Sequence, residues 1–119
     1  MPDRILIVAR LEPGNEPEVA KLFAASDATE LPHLLGVTSR HLYTYQGLYF
    51  QHVQFAGDAQ RAMAVARPRA DFQQLCDDLG GYVTPFDPAT WRSPADAMAK
   101  PFYAWSPGNS SVPPRKERP

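Results

Sequence analysis

The stretch VTSRHLYTYQGLYFQHVQF, residues 37–55, decides the fold of this chain. Apolar and aromatic side chains alternate with polar ones on both sides of Gln46-Gly47, a dipeptide typical of a tight turn. The alternation predicts two antiparallel strands, Val37–Tyr45 and Leu48–Phe55, joined as a β-hairpin. The segments on either side of this hairpin then determine the class of the domain.

Helical patterns lie on both sides of the hairpin. The first helix is expected from residue 17 to about residue 26 or 30, because Pro17 suits a first helical turn and the residue ahead of Pro32 avoids helical geometry. The second helical region, residues 59–79, has an apolar stripe at helical spacing and is interrupted at Pro68.

Three further segments have the composition of strands. Residues Ile5–Leu11 predict a strand whose first five residues, Ile5–Ala9, are apolar on both faces. Tyr82–Phe86 predict a short strand, and Phe102–Trp105 predict a final aromatic strand. The order strand, helix, hairpin, helix, strand is the βαββαβ pattern of a ferredoxin-like α+β domain, an antiparallel sheet with two helices on one face. The other face then stays open, and we expect it to pack on a second copy of the chain in a dimeric, α/β-barrel-like arrangement.

Length and composition limit the classes of protein that remain. The 119 residues suit one domain, which we expect at residues 1–105. Residues 106–119 are rich in proline and small polar residues and predict a disordered C-terminal tail. The formal net charge of −1 gives no electrostatic reason to expect a nucleic acid partner.

The same survey bears on location and metals. No apolar run approaches the ~20 residues of a membrane span. The first four residues lack the charged-then-apolar layout of a signal peptide, so no membrane association and a cytoplasmic location are expected. A single cysteine, Cys76, and three scattered histidines do not predict a metal site.

Several polar side chains lie between the first helix and the hairpin and have no evident structural role. Ser26 falls on the apolar stripe of the helix, so its hydroxyl is expected to face the core, with Asp27 at the helix end. Arg40 shares a strand face with Leu42. We therefore expect the active site here. The alternative is structural: Asp27 and Arg40 form a salt bridge, Ser26 is a satisfied core hydroxyl, and Gln51 bonds to backbone.

One set of segments extends over nearly the whole chain. Its members are SDATELP at 26–32, Gly36-Val37, Arg40, Leu48-Tyr49, YVTP at 82–85, DPATWRSPADAMA at 87–99 and FYAW at 102–105. Together they resemble the tetracenomycin-type aromatic polyketide cyclases, including their spore-pigment relatives, in register over residues 4–105. The resemblance implies a cofactor-free, ferredoxin-like dimer that acts on a partly cyclised poly-β-keto intermediate of a type II polyketide pathway.

The resemblance also implies site residues. The positions of Asp27 and Arg40 are regarded in that family as lining the cyclisation pocket. The tetracenomycin members have histidine at the positions of Ser26 and Gln51, whereas spore-pigment members share the serine. His52 lies one residue beyond Gln51, which places it on the opposite strand face and makes it a poor substitute.

The implied reaction is an intramolecular aldol condensation followed by dehydration, which closes a further ring. It needs an enolate to be formed and stabilised while the chain is folded so that the reacting carbons meet. Arg40 is the candidate cation for developing oxyanions, and Asp27 is the candidate base, which Arg40 would keep ionised if the two are in contact. The candidate substrate-binding residues are Ser26, Gln51, Tyr49 and His33.

Two other functions stay open at this point. The same dimeric fold hosts cofactor-free aromatic monooxygenases of the anthrone type, and the fold alone does not separate them from cyclases. A non-catalytic subunit that shapes the product by binding is the third hypothesis, favoured by the two missing histidines. Expected partners are the poly-β-ketone and a second copy of the chain. Arg61, Arg67 and Arg69 are most simply a solvated helix face, with docking of an acidic acyl carrier protein or another polyketide synthase subunit as the alternative.

Overall fold

The computed structural model describes residues 3–92, 94–105 and 107. In chain order its elements are β1 (Asp3–Leu11), α1 (Glu16–Asp27), α2 (Leu31–Leu35), β2 (Val37–Tyr45), β3 (Leu48–Phe55), α3 (Ala59–Ala66), α4 (Ala70–Leu79), β4 (Val83–Thr84) and a 3-10 helix (Pro94–Ala97). With α3 and α4 taken as the second helical region that is interrupted at Pro68, this is the predicted ferredoxin-like α+β order.

The four strands form one antiparallel sheet in the order β2-β3-β1-β4. The predicted hairpin is confirmed, with Tyr45 opposite Leu48 at its closed end. The turn residues Gln46 and Gly47 have φ angles of 49° and 80°, the positive values that a two-residue hairpin turn of matching twist requires. Strand β1 is an inner strand, paired with β3 along one edge and with β4 along the other.

One face of the sheet carries the hydrophobic core. Every second residue of β3 is buried on this face: Tyr49, Gln51, Val53 and Phe55. Val19 and Phe23 of α1 pack with Tyr49, whereas Ala59 and Ala62 of α3 pack at the other end of the same strand face. Both helical regions therefore lie on one side of the sheet, as predicted.

The opposite face presents aromatic side chains. Tyr43 and Tyr45 of β2 are exposed there, and Phe50 and His52 of β3 are half-buried. Rings of His41 and His52 face each other across the two strands with centroids 6.4 Å apart. Packing of this face on a second copy stays a prediction.

The connection between α1 and β2 differs from the prediction. Helix α1 ends at Asp27, within the predicted range, but it is followed by a separate short helix, Leu31–Leu35, that was not predicted and that contains Pro32 in its first turn. Proline is tolerated there because the first backbone N–H groups of a helix have no intrahelical acceptor. Gly36 then ends α2 with a φ of 75°, a left-handed conformation that favours glycine.

The predicted aromatic strand Phe102–Trp105 is wrong. Residues 101–105 carry no regular secondary structure, and the Phe102 side chain is 98% exposed. The edge position beside β1 is taken by the two-residue β4 and by Met98, which bridges to Ile7. Aromatic composition alone does not make a strand, since a strand also needs an unpaired neighbour.

Two further observations concern the chain as a whole. No helix within the described residues is long and apolar enough to cross a membrane. The predicted disordered tail, residues 106–119, lies outside the described residues except for Pro107.

Candidate active site

The last residue of α1 and the fourth residue of β2 meet in an ion pair. Arg40 Nε donates to Asp27 Oδ2 at 3.0 Å and Oδ1 at 3.2 Å, and Arg40 Nη2 donates to Oδ1 at 2.9 Å. The side chain of Arg40 is 16% exposed and that of Asp27 is 36% exposed. The pair therefore runs from the interior to the surface, with the carboxylate on the outer side.

The hydrogen bonds continue inward from the guanidinium. Arg40 Nη1 donates to Gln51 Oε1 at 2.6 Å, and Gln51 Nε2 donates to the Tyr49 hydroxyl at 3.1 Å. Gln51 and Tyr49 are two residues apart on β3, so their side chains share the buried face. Asp27, Arg40, Gln51 and Tyr49 thus form one polar chain that starts at the surface and ends in the core.

An aromatic ring supports the cation from one side. The guanidinium carbon of Arg40 lies 4.9 Å from the ring centroid of Phe23, a cation–π distance. Phe23 belongs to the same α1 stripe as Ser26, which is half-buried beside it. The ring, the carboxylate and the amide together fix the direction in which the guanidinium points.

These side chains open onto a cavity of about 410 Å³ between the sheet and the helices. Its polar end is formed by Ser26, Arg40, Tyr49 and Gln51. Its wall on the helix side is apolar and comes largely from α4: Phe72, Leu75, Cys76 and Leu79. No aspartate, glutamate or histidine is among its lining residues in the described part of the chain. The cavity can accept a flat apolar body with oxygens at one end.

Burial controls the ionisation of the two other titratable groups in this cavity. Desolvation raises the pKa of Tyr49 well above its usual range, and the nearby positive charge of Arg40 only partly opposes that rise. The Tyr49 hydroxyl is therefore a neutral phenol. Cys76 is exposed on one side, and its partial desolvation raises the pKa of the thiol, with the charge of Asp77 adding to the effect.

The structure brings together four of the six predicted site residues. Ser26, Arg40, Tyr49 and Gln51 line one end of the cavity. Asp27 does not line it and reaches the cavity only through Arg40. His33 is exposed on α2 and is not among the lining residues, so its predicted role in substrate binding finds no support.

Two features of the site were missed at the sequence level. The Phe23 ring beneath Arg40 and the cavity wall from α4 both come from residues predicted only as apolar helix stripes. The signal was present in the spacing of those stripes, but spacing alone does not tell a filled core from a cavity wall. Within the described residues, no group of three or more His, Cys, Asp or Glu side chains could hold a metal ion.

Comparison with known proteins gives a consistent result. A family model for polyketide synthesis cyclase matches residues 3–106. An uncharacterised protein of Streptomyces coelicolor is 45% identical over 101 residues, 84% of this chain and 91% of the relative. Polyketide synthase CurG of Streptomyces cyaneus is 40% identical over 100 residues, 84% of this chain and 94% of the relative. Tetracenomycin F2 cyclase of Streptomyces glaucescens is 34% identical over 103 residues, 87% of this chain and 94% of the relative.

Solved structures agree with the fold. The structure of tetracenomycin F2 cyclase, described as a type-II polyketide cyclase, aligns with a TM-score of 0.81 over 87% of this chain and 97% of that one, at 34% identity. A candidate antibiotic biosynthesis monooxygenase from Chloroflexus aurantiacus aligns with a TM-score of 0.54 over 73% of this chain and 86% of that one, at 10% identity. The second likeness shows the fold alone.

Proposed function

The chain belongs to the polyketide synthesis cyclase family, and we propose that it closes a ring of a partly cyclised poly-β-ketone by intramolecular aldol condensation and dehydration in a type II pathway. One observation carries this proposal. Arg40 is a desolvated cation at the polar end of a largely apolar cavity, where it can hold an oxyanion while the apolar wall holds rings that are already closed.

The free N–H groups of Arg40 set what it can do. A guanidinium has five N–H donors. Nε is used by Asp27, and Nη2 and Nη1 each give one bond, to Asp27 and Gln51 respectively. Within the described residues two N–H groups of Arg40 have no acceptor, enough to bind the oxygens of a β-diketone end and to favour its enolate.

The bond changes of the reaction follow in order. A carbon between two carbonyls loses a proton, the resulting enolate attacks a second carbonyl carbon, and the alkoxide formed takes up a proton before water is lost. Such carbons are already acidic, so folding the substrate and stabilising its oxyanions are the principal tasks. Aromatisation of the new ring favours the loss of water.

We assign Asp27 a positioning role rather than the role of base. Its carboxylate is bound to Arg40 in three N–H···O contacts and does not line the cavity. A base must reach the proton that it removes. In this proposal Asp27 holds the guanidinium in place and balances its charge, and water at the cavity mouth takes the proton.

The test is product analysis of a minimal aromatic polyketide synthase, run in air and anaerobically, with and without the purified chain. A new product lighter by one water in both atmospheres supports a cyclase. A product that gains oxygen only in air would instead favour the monooxygenase, and an unchanged product pattern would refute the proposal.

Two additions separate catalysis from product shaping by binding. A cyclase forms more product than the amount of protein added, whereas a binding subunit acts only in stoichiometric amount. Arg40→Gln should abolish the new product, and Lys21→Gln, which removes a positive charge at an exposed position of α1, is the matched control that should leave it unchanged.

Two macromolecular partners belong to the proposal. A second copy of the chain would cover the sheet face that exposes Tyr43 and Tyr45. An acyl carrier protein or another synthase subunit is the weaker candidate, supported by exposed Arg61 and Arg67, since Arg69 is already paired with Asp71 at 3.0 Å. Sedimentation velocity of the chain alone and with a carrier protein measures both associations.

A further inference from the structure

We propose that Tyr49 is a catalytic residue whose hydroxyl donates a hydrogen bond to a substrate oxygen in the cavity, and that Gln51 is the positioning residue that fixes its direction. The inference rests on the proposed cyclase function. It adds a second oxyanion donor, of different chemistry from Arg40, at the same end of the cavity.

The direction of each hydrogen bond in the series Arg40, Gln51, Tyr49 follows from Arg40, which can only donate. Arg40 has donors and no acceptor, so the Gln51 atom that lies 2.6 Å from Nη1 must be the amide oxygen. The amide nitrogen then faces Tyr49 and donates to its oxygen at 3.1 Å. A flipped amide would set N–H groups against the guanidinium, so this orientation is the one that satisfies both neighbours.

The Tyr49 oxygen is thus an acceptor on its protein side, and its own proton must point elsewhere. Tyr49 is 3% exposed and lines the cavity together with Arg40. Within the described residues, the hydroxyl has no hydrogen-bond acceptor for that proton. Buried polar groups are nearly always hydrogen-bonded, so a donor left over at a cavity wall indicates a ligand oxygen as its partner.

The chemical state of the phenol fits a donor and not a base. Burial raises the pKa of the hydroxyl, so the phenol is protonated at neutral pH. Tyr49 therefore keeps its proton throughout the reaction and gains strength as a donor when a carbonyl oxygen becomes an enolate or alkoxide oxygen. With the free N–H groups of Arg40 it forms a preorganised pair of donors that needs no rearrangement during ring closure.

The first experiment removes one oxygen atom. Tyr49→Phe should lower kcat for ring closure about 100-fold, the loss typical of one oxyanion donor, and should change KM by less than about threefold, because the donor acts mainly on the transition state. Tyr103→Phe, at an exposed position outside the cavity lining, is the matched control and should leave both constants unchanged. A Tyr49→Phe protein with wild-type kcat overturns the inference. A wild-type protein that closes no ring overturns the proposed function instead.

A second measurement does not depend on turnover. β-Naphthol is a flat phenol whose absorbance reports its ionisation, and its oxyanion imitates the enolate. Bound to the wild-type chain, its pKa should fall, and in Tyr49→Phe the fall should be smaller by about one unit, equal to a tenfold change in the ionisation constant. Equal pKa values in the two proteins, or no fall in the wild type, contradict the inference.

The role of Gln51 is tested by a variant that keeps the phenol. Gln51→Met removes both amide contacts and should lower kcat in the same direction as Tyr49→Phe. Because Gln51 also accepts a hydrogen bond from Arg40, part of its effect should persist without the Tyr49 hydroxyl, but the loss in the double variant should be clearly smaller than the product of the two single losses. Losses that multiply would show that Gln51 acts independently of Tyr49 and would overturn its positioning role.

Discussion

Replacing Asp27 with asparagine separates a carboxylate that positions Arg40 from one that removes the substrate proton. The two roles predict different rates because the carboxylate does not line the cavity. If Asp27 positions Arg40, the loss of one of its contacts lowers the rate only in part. If Asp27 is the base, its replacement removes the catalysis of the proton transfer entirely.

The size of the effect follows from the contacts of the ion pair. Asp27 accepts N–H groups at 2.9, 3.0 and 3.2 Å, and asparagine keeps one acceptor oxygen but turns an NH2 group toward the guanidinium. One charge-assisted contact contributes about 1.5–3 kcal/mol when desolvated. Because the Asp27 side chain is 36% exposed, we discount the loss to about 1 kcal/mol.

That loss predicts both a stability change and a rate change. The Tm of Asp27→Asn should fall by about 4 °C. Arg40 keeps its bond to Gln51 at 2.6 Å and its place 4.9 Å from the Phe23 ring, so it stays near its position. If the transition state is destabilised relative to the bound substrate by the same amount, about 1 kcal/mol, kcat falls about fivefold.

The assay compares kcat for ring closure and thermal unfolding in three proteins. Asp77→Asn makes the same charge change at an exposed α4 position and should leave kcat unchanged. A general base contributes about 100-fold or more. A loss of that size in Asp27→Asn, together with the disappearance of the acidic limb of the pH–rate profile, would refute the positioning role.

Two further predictions concern stability. Gly36→Ala should lower the free energy of unfolding by about 1 kcal/mol, because residue 36 has a φ of 75°. Gly57→Ala is the matched control: neither glycine has an atom within 4 Å of an added Cβ, and Gly57 has no positive φ, so a comparable loss there would contradict the conformational explanation. Because the pKa of Tyr49 is raised in the folded protein, the neutral phenol contributes its full stabilisation at any pH below 10.0, the ordinary pKa of tyrosine. This stabilisation is lost as the pH rises above 10.0, where the unfolded chain loses the phenol proton first. Urea unfolding should therefore show that the free energy of unfolding of the wild type falls more steeply above pH 10.0 than that of Tyr49→Phe. The raised pKa of Cys76 is common to both proteins and cancels in the comparison. If the two proteins lose stability in parallel with pH, the result argues against a buried phenol.

The elements that the sequence predicted well have local causes. The hairpin follows from the alternation of apolar and polar side chains on both sides of Gln46-Gly47, and the break between helices α3 and α4 follows from Pro68. The short helix at Leu31–Leu35 was not predicted although its signals, Pro32 and Gly36, are local, whereas the absent strand at Phe102–Trp105 has a non-local cause. In the second case the sheet edge was already occupied by another part of the chain.

The sequence by itself determined which side chains share a face. Period-two spacing placed Tyr49 with Gln51, and helical spacing placed Ser26 beside Phe23. Only the tertiary structure decided how these faces meet. The register of β2 against β3 sets Arg40 opposite Val53 and so diagonal to Gln51, within reach of its amide. The packing of α1 on the sheet leaves Asp27 outside the cavity while Arg40 lies inside it. Those two relations give Arg40, Gln51 and Tyr49 their directions, because a donor's direction depends on all its neighbours in space and not on its place in the chain.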